Sequence, residues 1–504
     1  MLSRSLFRSR FEWLRMTAPE TNERTASGPR TSDLGLRTRI KTLSPPVNPP
    51  KIIDHRARAA AFIADPGRSQ WHDQALWFVR TKRDKAVAQV PEWELLRTHA
   101  AAIKAYVVDN LGELLAQFIA EATAAGATVH IAHDAAEHNA IVQGILNSAG
   151  ATRVVKSKSM LTEQCGLNHH LADHGVSVVD TDLGERIVQL AQEPPSHIVL
   201  PAIHRRKEEV GALFAEHLGT PPGLDDPVAL TRAARTHLRT HFLAADAAIT
   251  GVNFAVADTG SIVICTNEGN MDFGTALPDL HIACMGLEKL VPLASDLGVF
   301  TRLLARSATG QAITTYTSHL RGPRAGGALH IVIVDDGRVA HAADVQTNTA
   351  LACIRCGACM NTCPIFRRAG GHSYGSTIPG PIGIVLAPHR DPSRARHLPD
   401  ACSVCGSCSD VCPVKIPLHQ QILTWRGRLA DLGLLPWSKR IGMRVLAGIM
   451  ARPWLFRPLA WSGRRLARCL PGVLRRRLAG TWGQGHAVPV PPKQSFHAQW
   501  RARK

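Results

Sequence analysis

Two short stretches of this chain carry cysteines at a spacing that does chemistry. The first reads Cys353-x2-Cys356-x2-Cys359-x3-Cys363-Pro364, and the second Cys402-x2-Cys405-x2-Cys408-x3-Cys412-Pro413. Such a run lets three thiolates of one tight loop meet three corners of an iron–sulfur cube while the fourth points away. In two-cluster ferredoxins that fourth cysteine ligates the other cluster. The reading therefore assigns Cys353, Cys356, Cys359 and Cys412 to one [4Fe–4S] cluster and Cys402, Cys405, Cys408 and Cys363 to a second. Gly357 and Gly406 stand where backbone must approach sulfide closely, and Pro364 and Pro413 end each loop rigidly. Structural zinc, the competing use of clustered cysteines, favours two separated C-x2-C pairs. A three-cysteine run closed by Cys-Pro, present twice, favours iron and sulfide.

Cys165, Cys265 and Cys284 fall outside this pattern and read as buried hydrophobes, as free cysteines usually are; Cys469 also lies outside it. No G-x-G-x-x-G fingerprint and no Walker A loop occurs, so no nicotinamide, flavin or nucleotide site follows from motifs. Clusters alone store and pass single electrons. Hydride abstraction from an organic substrate would fall to a partner.

The elements that must hold these loops come in a clear order. The chain has 504 residues, 45% of them apolar, which suits two or three domains with a sizeable core. Residues 1–50 read as a flexible arm ending in SPPVNPP, and 51–126 as helical, with apolar residues at three-to-four spacing. From 127 short β-rich runs alternate with helix-like segments: TVHIAH (128–133), TRVVKS (152–157), VSVVDT (176–181) and HIVLPA (197–202). That alternation predicts βαβ units and an open parallel-rich sheet. NFAVAD (253–258) and SIVICT (261–266) predict a hairpin turning on Thr259-Gly260. HIACMG (281–286) and LHIVIVDD (329–336) add strands, so 127–340 reads as one α/β domain. A two-cluster domain over 345–425 and a basic, Trp-rich tail over 426–504 complete the order.

Net charge is +19, and from Trp425 onward seventeen Lys or Arg face one acid, Asp431, leaving about +3 for everything before. Trp437, Trp454 and Trp461 alternate with arginines in that tail, while Pro453 and Pro458 are expected to break any single long helix. Basic helices with aromatic anchors suit an anionic membrane surface. An acidic partner subunit is an equal use for them, and nucleic acid a lesser one. The N-terminus is Arg-rich but lacks a continuous apolar stretch, so it is no secretory signal, and Met16 competes with Met1 as the start. No run of eighteen uncharged apolar residues occurs. The expectation is a cytoplasmic protein with a peripheral contact at the inner face of the membrane.

Several longer segments resemble one family. VVKSKSM (154–160), DTDLGE (180–185), PSHIVLPAIH (195–204), ITGVNFAVADTGSIVICTNEGN (249–270) and LPDLHIACMGLEKLVP (277–292) are similar to the lactate-utilisation iron–sulfur protein family (LutB-type). So are RDKAVAQVPEWELLR (83–97) and GGHSYGSTIPGPIG (370–383), and the paired cysteine motifs follow in the same order. The resemblance runs over roughly residues 55–470. It implies an electron-transfer subunit of a complex that oxidises L-lactate to pyruvate and feeds the respiratory chain. The implied partners are a cysteine-rich heterodisulfide-reductase-like subunit and a cluster-free subunit with the same LUD-like α/β domain. That domain resembles sugar-phosphate isomerase and CoA-transferase folds, in which a Glu in a turn after a strand is the nucleophile. Glu268 is the nearest counterpart, although Thr266-Asn267-Glu268-Gly269-Asn270 departs from the transferase order. Lys156 and Lys158 stand where open α/β sheets bind anions, so a carboxylate would suit them. His197, His204 and His281 flank strands and could orient a hydroxy acid, though among 24 histidines chance placement is the simpler account. Two other readings stay open: a relay for another 2-hydroxy acid such as glycolate, and an acyl- or CoA-binding module with regulatory clusters.

Overall fold

Short apolar runs such as IVIV (331–334) become the centre of a sheet, because a strand covered on both faces has no polar side to show. In the computed structural model, which describes residues 52–479 and 488–503, this sheet has six parallel strands. They are β1 (Thr128–Ala132), β2 (Arg153–Lys156), β3 (Ser177–Asp180), β4 (Ala247–Gly251), β7 (Leu280–Gly286) and β10 (Ala328–Val334). Their order is β1-β10-β7-β4-β2-β3. A second sheet, in the order β8-β5-β6-β9, joins β5 (Phe254–Val256), β6 (Ser261–Thr266), β8 (Leu290–Val291) and β9 (Tyr316–Leu320). The arm expected over residues 1–50 lies outside the described residues.

The large sheet is wound on both faces, and β10 shows why. Leu329, Ile331 and Ile333 join one core with Leu114, Leu115 and Phe118 of the helix Leu111–Ala124. Val332 and Val334 join another core with Val142, Ile145 and Leu146 of the helix Ala135–Ser148. Alternate residues of one strand thus feed two cores, as the period of two requires.

Two expectations change. β5 and β6 pair antiparallel, but the register Val256↔Ser261 leaves Ala257–Gly260 as a four-residue connection rather than a two-residue turn. Gly260 has φ +66, and a Cβ there would fall 2.2 Å from the backbone N of Ala122, so the helix Leu111–Ala124 lies directly on this bend. The run 197–202 is apolar yet forms no strand. His197 folds it into a turn, its Nδ1 accepting from the backbone N–H groups of Val199 and Leu200, each at 3.0 Å.

The N-terminal helices serve the cysteine module. Leu76, Trp93, Ala100 and Ile103 share one core with Met360, Phe366, Ile382, Ile416 and Trp425. From the helix Trp93–Asp109, Arg97 donates to the Cys412 carbonyl at 2.8 and 2.9 Å and to the Asp410 carbonyl at 2.7 Å. Arg83 donates to the Val411 carbonyl at 3.2 Å. Such charge-assisted bonds tie down carbonyls that a short loop cannot satisfy itself.

Residues from Leu429 onward form a separate unit. It contains the helices Trp437–Met450, Pro453–Cys469 and Gly472–Leu478. Pro453 opens the second of these, where its missing N–H costs nothing. Pro458 does not break that helix, as expected above, but is carried inside it. Trp437, Trp454 and Trp461 are 75%, 71% and 50% exposed, so this unit wears its apolar anchors outside. No helix among the described residues is long and apolar enough to cross a membrane.

Candidate iron–sulfur centres and the adjoining cavity

The two cysteine loops repeat one backbone design. Arg355 and Val404, the third residue of each motif, both take positive φ (61° and 57°), as do Gly357 (74°) and Gly406 (81°). Left-handed backbone is costly for arginine and more so for valine. It turns the amide inward: Arg355 N–H donates to Cys353 Sγ at 3.4 Å, and Val404 N–H to Cys402 Sγ at 3.3 Å. Ile416 N–H donates to Cys412 Sγ at 3.4 Å. Amides aimed at sulfur lower the cost of negative charge there, one of the means by which a chain sets a cluster's potential.

The fold brings Cys353, Cys356, Cys359 and Cys412 around one small cavity, walled by Ile198, Ile382 and Ile416. Cys363 and Cys408 have Cys402 and Cys405 as sulfur neighbours. Burial, with the neighbouring sulfurs, pushes Cys408 up to about 12. Burial also pushes Cys363 and Cys412 up to about 11, and raises Cys356 and Cys359 further. Thiols so crowded stay protonated until a cation shares the site, since metal supplies the charge that lets them ionise. Among the described residues no three His, Cys, Asp or Glu converge where a single metal ion could sit. Four thiols spread around a cavity fit a cube better than one zinc with its short, equal bonds.

The second feature is a cavity of about 500 Å³ at the carboxyl ends of β2, β4 and β7, where open α/β sheets place ligands. Its walls include Lys158, Asp182, Glu268, Glu288, Lys289 and Arg355. The turn Ile198–Ile203 forms one side, and Ile198 and Cys356 line both this cavity and the four-cysteine one. His197 holds the join: its Nε2 lies 3.1 Å from Asn361 Oδ1, and its ring presses on Gly357, where a Cβ would fall 2.9 Å from it. Burial holds His197 down at about 3, so it is neutral and its Nε2–H donates to Asn361.

The candidates of the α/β domain fare unevenly. Lys156 is no anion site. Its Nζ is buried among Asp180 (2.6 Å), Glu163 (3.1 Å) and Glu185 (3.7 Å). Burial alone would push that ammonium down, but the three carboxylates outweigh it and hold the group well above the usual lysine range. Lys158 reaches the cavity but is bonded to Asp182 (3.0 Å) and the Val199 carbonyl (3.2 Å). Glu268 sits at the rim, accepting from the Leu183 N–H at 3.1 Å. Surrounding protein, then the Asp182 carboxylate, lifts it to about 7. His204 is spent on Ser196 (2.7 Å) and Glu193 (2.8 Å), and His281 on Thr250 Oγ1 (2.8 Å). Cys165 and Cys284 are buried as expected, whereas Cys265 is half-buried and lines the cavity.

Sequence reasoning missed Glu288, Lys289 and Arg355. Arg338 and Arg355 both hold Glu288, at 2.6 and 3.3 Å, and outweigh its burial to keep it well below the usual carboxylate range. Burial pushes Lys289 down to about 8. The signal was on view, since Arg355 lies inside the first cysteine motif and Glu288-Lys289 follow the strand HIACMG.

The LUD domain matches residues 115–337 and the 4Fe-4S dicluster domain residues 349–416, so the cofactors are two [4Fe–4S] clusters. A protein of Escherichia coli (strain K12) named "Uncharacterized electron transport protein YkgF" is 40% identical over 462 residues, covering 89% of this chain and 96% of that one. "Lactate utilization protein B" of Shouchella clausii is 39% identical over 445 residues, covering 84% and 92%. Its namesake in Bacillus velezensis is 41% identical over 388 residues, covering 75% and 81%.

Proposed function

The chain belongs to the lactate utilization protein B family, and from that premise we propose that it is the iron–sulfur subunit of a complex oxidising L-lactate to pyruvate, relaying electrons towards the respiratory chain. The observation that carries the reading is the shared wall. Ile198 and Cys356 line both a ligand-sized cavity and a pocket of four cysteines. When bound, the two clusters supply one-electron storage and transfer. The chain's own residues do the rest. Cys353, Cys356, Cys359 and Cys412 hold the inner cluster, and Cys402, Cys405, Cys408 and Cys363 the outer one. Inward amides at Cys353, Cys402 and Cys412 stabilise negative charge on sulfur. Exposed Cys405 gives electrons a way out to a partner.

The proposed partners are a cysteine-rich heterodisulfide-reductase-like subunit and a cluster-free LUD-domain subunit. The exposed tryptophans and arginines of the tail support a peripheral contact with an anionic membrane surface, whose lipids attract such basic segments. Replacing Cys356 with Ser tests the function. Growth on L-lactate should stop while circular dichroism of the folded chain is kept, and undisturbed growth in a variant shown to lack clusters would refute the relay. If glycolate rather than L-lactate reduces the clusters of the assembled complex, the relay stands and the substrate changes.

A further inference from the structure

We propose that the cavity at the carboxyl ends of β2, β4 and β7 binds an organic carboxylate on this chain itself, with Lys289 and Arg355 holding the carboxylate group beside the first cysteine loop. The inference rests on the function proposed above and says where its acid sits.

Unspent positive charge marks this wall of the cavity. Of the cations in this region, Lys158 is paired with Asp182 at 3.0 Å, and Lys156 lies within its own carboxylates. Glu288 is shared by Arg338 at 2.6 Å and Arg355 at 3.3 Å, two guanidiniums on one carboxylate. Lys289 follows it in the chain and lines the same cavity; it feels the Glu288 carboxylate through space but makes no hydrogen bond or close ion pair among the described residues. Arg355 also keeps its Nη1 buried without a partner. A charged or hydrogen-bonding group removed from water without a counterpart costs several kcal/mol. Arg355 Nη1 is such a group, and with the half-buried Lys289 ammonium on the same wall it calls for an anion. A planar guanidinium beside an ammonium suits the two oxygens of a carboxylate.

The rest of the lining narrows the class. Val252, Ile198 and Leu304 offer an apolar surface to an organic body, and Asp182 and Glu268 would repel a polyanion. A nucleotide or pyrophosphate therefore fits worse than a small acid. The volume of about 500 Å³ exceeds what a three-carbon acid fills, so longer 2-hydroxy and 2-oxo acids belong in the test.

The test is calorimetric titration of the anaerobically purified, cluster-loaded full chain with L-lactate, pyruvate, a longer 2-oxo acid and inorganic phosphate. Saturable binding of at least one organic acid, tighter than phosphate, is expected. Lys289→Met should weaken it by about tenfold or more, as loss of a charged hydrogen bond does, and Lys289→Arg should retain most of it. Iron content and the visible spectrum, read on the same samples, should not change. No saturable binding by wild-type protein, preference for phosphate, or unchanged affinity in Lys289→Met would each overturn the site. The two readings fail separately. If growth on lactate needs the clusters but no acid binds, the relay stands and the site is wrong. If an acid binds but growth on lactate survives loss of the clusters, the site stands and the relay is wrong.

Discussion

The two cysteine loops share spacing, left-handed residues and inward amides, yet they live in different surroundings. Around the inner quartet, Cys356, Cys359 and Cys412 are buried, and Gly357 is pressed by His197 and Val199. In the outer quartet Cys405 is exposed, and a Cβ on Gly406 would meet nothing within 4 Å. One motif thus makes two copies of a cluster loop, and the neighbours bury one and leave the other open. The inner loop faces the cavity of the α/β domain and the outer loop faces solvent. The two loops thus differ in packing and not in ligand type, and the proposed relay would run from the buried loop to the exposed one.

The largest effect should come from removing a ligand of each quartet. Cys356→Ser and Cys405→Ser should each lower the iron count from about eight towards about four per chain. The substrate-dependent reduction of the remaining cluster should be lost only in the Cys356 variant. Equal behaviour of the two would erase the distinction. Next comes chemical access. Exposure to ferricyanide or oxygen should destroy the outer cluster first, and following iron release and electron paramagnetic resonance with time would reveal the reverse order if the burial argument is wrong. A smaller contrast lies in the glycines. Gly406→Ala meets only the left-handed backbone penalty of about 1–2 kcal/mol. Gly357→Ala adds overpacking against His197 and Val199, worth about 1–3 kcal/mol more. Thermal melts of the two variants should rank in that order.

A separate effect belongs to the α/β half alone. His204 and His281 are held down at about 4 by burial, against an ordinary 6.5. Each gains its proton only on unfolding once pH drops below 6.5, so the unfolded chain binds more protons and stability falls as pH is lowered. The melting temperature should therefore decline from pH 7 to pH 5, and replacing both histidines with Gln should flatten that slope.

What could be read from the chain was local. Cysteine ligands lie within eleven residues of one another in each motif, so spacing alone carries them. The central strands announce themselves because continuous apolar runs such as LHIVIV have few other uses. The failures were long-range. HIVLPA looks like a strand because it is buried, but a histidine that caps two of its amides makes it a turn. Lys156 and Lys158 are alike in sequence, and only carboxylates brought from Glu163, Asp180 and Glu185 show that the first is a buried tie. Lys289 carries no motif at all; it stands out only once its neighbours are seen to be spent on each other.

The account depends on two clusters close enough to pass electrons within this one chain. Iron and sulfide counts with electron paramagnetic resonance on the anaerobically purified, fully reduced protein test that most directly. About eight irons per chain and signals broadened by interaction between two reduced centres are predicted. A colourless protein holding zinc, or four irons with a single isolated signal, would contradict it.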